Sequence, residues 1–137
     1  MTELKNTLII DATNATVGRL ASYAAKQSLL GKSVIIVNCK YAVVTGRPKS
    51  IISEFQEART RGGSSLNGPF YPKQPQKIVK RMVRGMLPYK QLRGREALKR
   101  VMCYDLVPAQ YEKSEKIHAG KEKNVDTITL EDLSREI

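Results

Sequence analysis

From Lys73 to Arg95 the chain carries Lys73, Lys77, Lys80, Arg81, Arg84, Lys90, Arg93 and Arg95, with no Asp or Glu between them. Charged helix faces in water ordinarily mix signs, because pairs three or four residues apart stabilise each other. A run of one sign repels itself unless a polyanion neutralises it, and each phosphate contact then gains free energy by counterion release. The wider distribution agrees. Residues 1–39 carry +2, residues 40–104 hold 15 basic against three acidic side chains, and residues 112–137 carry −2, within a total of +11. Phosphate recognition is therefore the chemistry these residues suit, with nucleic acid favoured over a basic surface kept for solubility and over an anionic membrane. The candidates are Arg47, Lys49, Arg59 and Arg61 upstream, the eight residues above, and Lys99 and Arg100 downstream.

Other chemistries find little support. Gly31-Lys32-Ser33 ends like a phosphate-binding P-loop, but Lys26 stands where the motif needs its first Gly, and the tripeptide precedes a strand instead of opening a helix. The turn from Asp11 to Gly18 has one Gly where a dinucleotide fingerprint needs three. Asp11 closes a strand with no second carboxylate or His beside it in sequence, so a turn or capping role is expected. His118 is the single histidine and is expected to be solvated. Cys39 and Cys103 lie far apart without a Cys-x-x-Cys pattern, so free, buried thiols are expected, with no metal site, cofactor or disulfide framework. Asn14-Ala-Thr16 fits a glycosylation acceptor, but without a secretory signal it reads as a helix start.

The elements that must position the cations follow from periodicity. At 137 residues and 41% hydrophobic types, the chain suits one domain. No apolar run approaches the roughly 20 residues needed to cross a bilayer, and a soluble intracellular protein is expected. Thr7 to Ala12 and Ser33 to Asn38 read as buried strands, with a helix from Val17 to Leu30 between them. Val17, Leu20, Ala21, Ala24 and Ser28 form its inner arc, Asn14 and Thr16 offer capping oxygens, and Gly31 stops it. This is a βαβ unit with a parallel pair. Ala42 to Thr45 suits a third strand, Lys49 to Arg61 a helix with Ile51, Ile52, Phe55 and Ala58 inward, and Val101 to Asp105 a fourth strand. A Gly- and Pro-rich loop spans Gly62 to Pro75, where Phe70 and Tyr71 could stack on unpaired bases or pin the loop to the core.

The key helix runs from Pro75 to about Arg84. With Ile78 as origin, Val79, Met82, Val83 and Met86 fall within about 140° of arc, while Lys77, Lys80, Arg81 and Arg84 fall between about 200° and 300°. One face is core and the other a cationic ridge. Lys90 to Arg95 is a second basic stretch, leading to a short helix from about Glu96 to Arg100. Residues 1–108 form the expected α/β RNA-binding domain. Residues 109–137 form a polar extension packing on that domain or on a partner, with a helix start at Thr129-x-x-Asp132.

Arg81-Met-Val-Arg-Gly-Met-Leu-Pro-Tyr-Lys90 resembles the universal L13 family of large-subunit ribosomal proteins. Ile10-Asp-Ala12 with Gly18-Arg-Leu-Ala-Ser22 agrees, as do Val34 to Asn38 with Thr45-Gly46, and Gly68-Pro-Phe-Tyr-Pro72 with Arg93-Gly-Arg-Glu-Ala97. The resemblance covers about Leu8 to Tyr104 and is to the archaeal and eukaryotic form. It implies a three-layer α/β/α fold around a four-stranded parallel sheet in the order 3-2-1-4, with the four strands above able to supply it. It also implies a non-enzymatic role in binding and stabilising large-subunit ribosomal RNA during assembly and translation. By the resemblance, the RNA-facing positions are Arg81, Arg84, Gly85, Lys90, Arg93 and Arg95, with Phe70 and Tyr71. The implied partners are that RNA and neighbouring large-subunit proteins in the cytoplasm, without membrane or small-molecule substrate. Two competing readings are a free-standing RNA-binding regulator and a nucleotide-dependent enzyme on a doubly wound sheet.

Overall fold

A computed structural model describes residues 7–60, 71–121 and 125–137. Strand β1 (Thr7–Asp11) and strand β2 (Ser33–Val37) pair in parallel, from Thr7 opposite Ser33 to Asp11 opposite Val37. Helix α1 (Val17–Leu29) makes the crossover. Its expected inner arc is the buried one: Val17, Leu20, Ala21, Ala24 and Ser28 are all enclosed. The expected caps are not used. Thr16 precedes the helix in extended conformation without a side-chain capping bond, and Asn14 is left-handed at φ 60°.

Strand β4 (Val101–Cys103) lies beside β2, and strand β5 (Ile117–His118) lies beside β1, both parallel. Numbered within the sheet, the strands run third, second, first, fourth, which is the expected 3-2-1-4 order. Two of the segments filling it differ from expectation. Strand β3 (Val43–Thr45) leaves this sheet and pairs antiparallel with β6 (Thr127–Thr129). A parallel neighbour needs a crossover of a dozen or more residues. Only residues 38–42 separate β2 from β3, so β3 cannot return beside it. The third place falls to β4, and the fourth to a segment beyond residue 108.

Side chains alternate across the sheet. Ile10, Val34, Ile36 and Val101 face the main core, built with α1, α2 (Pro48–Thr60), α3 (Pro75–Gly85), α4 (Leu92–Lys99) and α5 (Leu130–Glu136). Ile9, Ile35 and Val37 face the other way, where Tyr104, Val107 and Tyr111 form a thinner third layer. In α2, Ile51 is buried and Ile52, Phe55 and Ala58 are partly so. The α5 start is as expected, with Thr129 Oγ1 accepting from the Asp132 N–H at 3.3 Å and Leu130 and Leu133 enclosed.

Helix α4 begins four residues earlier than expected because Gly94 lies within it. Glycine counts against a helix interior by propensity, but here a Cβ would sit 2.0 Å from the Pro88 carbonyl oxygen. The close approach of helix and turn requires the absent side chain. Met86, expected inward, is 46% exposed, because α3 has ended at Gly85.

Asp11 joins the carboxyl ends of β1 and β2. Its Oδ1 accepts from the Thr13 N–H at 3.0 Å, the Thr13 hydroxyl at 2.8 Å and Asn38 Nδ2 at 3.1 Å. The exposed His118 places Nδ1 3.3 Å from Oδ2. Burial alone would raise the Asp11 pKa, but the Thr13 and Asn38 donors and the His118 charge outweigh it and hold the carboxyl below its usual range. A depressed native pKa stabilises the fold above about pH 4, and that contribution is lost as pH falls through the native value. Asp11→Ala should cost about 1–3 kcal/mol in urea unfolding at pH 7, and the difference from wild type should shrink below pH 4.

Candidate nucleic-acid interface

Helix α3 is anchored first. Ile78, Val79 and Val83 are buried in the main core, and Asp105 Oδ1, just past β4, accepts from the Gln76 N–H at 2.9 Å. That carboxylate satisfies a first-turn amide that Gln74, in the N-cap position, leaves without a side-chain partner. The helix is thereby fixed in rotation against the sheet, and its second face is turned outward.

On that outward face two guanidinium groups lie over tyrosine rings. Arg81 Cζ is 4.2 Å from the Tyr71 ring centre and Arg84 Cζ is 4.4 Å from that of Tyr89. A guanidinium resting over a ring is attracted to the ring face, and its side chain loses rotamer freedom before any phosphate binds. Lys77 and Arg84 are exposed, and with Pro72, Lys80, Arg81 and Leu98 they line an open groove of about 290 Å³. Among the described residues no carboxylate forms an ion pair with these cations; the ion pairs there are Lys40–Glu131, His118–Asp11, Arg135–Glu131 and Arg135–Asp132.

Lys80 differs from its neighbours on the ridge. Its Nζ donates to the Leu98 carbonyl at 2.6 Å and to the Val101 carbonyl, tying α3 to the end of α4 and the start of β4. Desolvation lowers its pKa. Arg100 is likewise engaged, with Nε and Nη2 donating to the Ser28 carbonyl at 3.1 and 2.9 Å, at the end of α1. Arg59 Nη1 donates to the main-chain oxygen of Ile137 at 2.7 Å.

Lys73, Lys90, Arg93, Arg95 and Lys99 are exposed around α3 and α4, with Arg93 Nε donating to Gln91 Oε1 at 3.1 Å. Arg47 and Lys49 are exposed at the start of α2. Arg61 and Phe70 lie outside the described residues. Tyr71 both pins and presents: beside Phe55, Ile78 and Met82 it lines an apolar recess of about 200 Å³, and its ring carries Arg81. Sequence reasoning missed Tyr89 as a site residue. It follows the helix in the Leu87-Pro-Tyr turn, so no helical periodicity linked it to Arg84. Exposed Gly85 has open space where a Cβ would be, so nothing in the protein requires a glycine there.

Cys39 and Cys103 come together, but Cys39 is buried, with its thiol pKa pushed up by its hydrogen bond with Cys103 and by burial. That same bond lowers Cys103, with the Lys80 charge assisting against burial. Among the described residues no group of three or more His, Cys, Asp and Glu could hold a metal ion.

A family model described as Ribosomal protein L13 matches residues 5–109. The large ribosomal subunit protein uL13 of Thermoplasma volcanium is 47% identical over 132 residues, covering 94% of this chain and 96% of that one. Its namesake from Methanosarcina barkeri is 44% identical over 125 residues, with 90% and 81% covered. The Methanocaldococcus jannaschii protein is 41% identical over 132 residues, with 94% and 96% covered.

The two glycines of this surface should separate in a stability measurement. Gly94→Ala forces a contact with backbone and should lose about 2–3 kcal/mol in urea unfolding. Gly85→Ala meets open space and should lose nothing, with a gain of up to about 0.5 kcal/mol from helix propensity.

Proposed function

The chain belongs to the ribosomal protein L13 family and is a structural constituent of the large ribosomal subunit, and on that premise we propose that the α3–α4 surface grips large-subunit ribosomal RNA. The observation that carries the reading is the pair of ring-backed guanidiniums, Arg81 on Tyr71 and Arg84 on Tyr89, in a cation field with no ion-paired carboxylate among the described residues. Such groups suit phosphates and 2′-hydroxyls, so recognition is by RNA shape more than base sequence. Lys73, Lys77, Lys90, Arg93, Arg95 and Lys99 extend the field, with Arg47 and Lys49 at its margin. Lys80, Arg59 and Arg100 serve it indirectly, by holding the elements that carry it.

The family is structural, not catalytic, and we extend that to this chain, whose sheet serves as a mount for the cationic helices. Neighbouring large-subunit proteins complete its surroundings. No helix among the described residues is long and apolar enough to cross a membrane.

Binding of a large-subunit RNA fragment should weaken linearly in log K against log salt, and Arg81→Glu/Arg84→Glu should make the slope shallower by roughly two units. The thermal midpoint should stay near wild type, since both side chains lie on the outward face. Gly85→Ala should weaken binding without loss of stability, because the added methyl stands where the RNA backbone approaches. A salt-independent affinity would sink the reading.

A further inference from the structure

The groove along α3 is one cationic surface; α1 carries another. Its sequence contains no Asp or Glu, and Arg19, Tyr23 and Lys26 share its outward side, at about 200°, 240° and 180° with Val17 as origin. All three are exposed, Tyr23 by 40%. The amino-terminal half of this stripe meets the chain leaving β5. There Thr16, Arg19 and Tyr23 face Ala119 and Lys121 across a recess of about 150 Å³. Two cations flank it, a phenol ring forms its rim, and Ala15 and Leu20 provide an apolar floor.

Asp11, at the end of β1, is already engaged by Thr13, Asn38 and His118. Among the described residues neither Arg19 nor Lys121 has an ion-pair partner. Gly120 fixes the approach of this segment: a Cβ there would stand 1.9 Å from the Thr13 carbonyl oxygen, so the β5 exit is pressed against the turn that enters α1. Lys121 is thus delivered to the recess by a tight backbone contact.

We propose that this recess, with the outward stripe of α1, is a second RNA-binding surface that takes an unpaired strand, separate from the segment held by α3 and α4. The recess is smaller than the roughly 300 Å³ and upward of small-molecule sites, and it suits a single sugar-phosphate unit. Phosphates meet Arg19, Lys26 and Lys121, and a base stacks on the Tyr23 ring. The two surfaces lie on helices that share one face of the sheet, α1 packing against α3, but the recess and the α3–α4 groove lie toward opposite sheet edges. Lys80 of α3 bonds to the start of β4, at one edge, while Ala119 and Lys121 follow β5, at the other. Three strand spacings separate those edges, about 14 Å, so one nucleotide cannot reach both. The protein on this view staples two stretches of RNA near the two edges of one rigid sheet. The inference rests on the RNA-binding reading above.

The test is hydroxyl-radical footprinting of large-subunit RNA bound by the full chain, comparing Arg19→Glu/Lys121→Glu with Arg81→Glu/Arg84→Glu. Each pair should erase its own set of protected riboses and leave the other set in place, and each should reduce the salt slope by roughly two units. Tyr23→Ala should weaken the first set, and Tyr23→Phe should retain it. If the α1 pair erases nothing while the α3 pair does, the second surface is wrong and the first stands. If both pairs erase the same riboses, there is one continuous site and the proposal fails. If neither erases any, both readings fall. Loss of subunit incorporation with all protections intact points to a protein on this face and overturns the proposal. Should the α1 pair unfold, Arg19→Gln/Lys121→Gln with an unchanged salt slope would overturn it equally.

Discussion

The architecture depends on burying β1 and β2 as a parallel pair. Ile10, Val34, Ile36 and Val37 are fully enclosed, and a parallel pair can be closed only by a long crossover. That crossover is α1, and its handedness sets the face on which it packs. The next strand long enough away in sequence to join beside β2 is β4, which brings α3 and α4, the two helices leading to it, over the sheet. The cations of α3 face outward because Ile78, Val79 and Val83 face this core. Their positions are a consequence of the strand pairing and have no separate fold of their own.

Holding like charges together on one side of a folded molecule costs stability through self-repulsion. The structure limits that cost in two ways. Lys80 and Arg100 turn their charges onto main-chain carbonyls at the ends of α4 and α1, where partial negative charge accumulates. Arg81 and Arg84 lie on tyrosine rings. Neither device uses a carboxylate. Ion pairing would be the simpler remedy, and the chain has acidic residues to supply it, yet Glu131 and Asp132 are used on α5. A cation left without an anion in the free protein remains available to one in a complex, and that distinguishes this surface from an ordinary solvated face.

Much of this was legible in the residue pattern. The inner arcs of α1 and α3 follow from spacing, and the acid-free run marks out the surface on which the phosphate-binding proposal rests. What escaped did so for identifiable reasons. Angular position on a helix says which side a residue takes but not how deep it lies. Lys80 falls at the boundary beside Val83, so its long stem runs over apolar surface to reach carbonyls. Propensity argued against extending α4 through Gly94, whereas the contact with Pro88 demanded it. The departure of β3 from the sheet was within reach, since the short link after β2 forbids a parallel return. The identity of the fourth strand was not: β5 is two residues, Ile117 and His118, in a charged stretch without a strand pattern. Its place comes from pairing with β1, a tertiary fact.

A basic disordered tail could neutralise phosphates as well, so the folded mount needs its own physical reason. Long cationic side chains lose rotamer freedom on binding, and a flexible backbone loses more. Here the backbone of α3 is fixed by its buried face and by Asp105, and two of its arginines are already held on rings. Part of the ordering cost is therefore met during folding of the protein. The resulting array keeps a fixed spacing, and a fixed spacing favours one RNA conformation over others with the same charge. On the RNA-binding reading proposed above, rigidity turns sequence-independent attraction into selection of RNA shape.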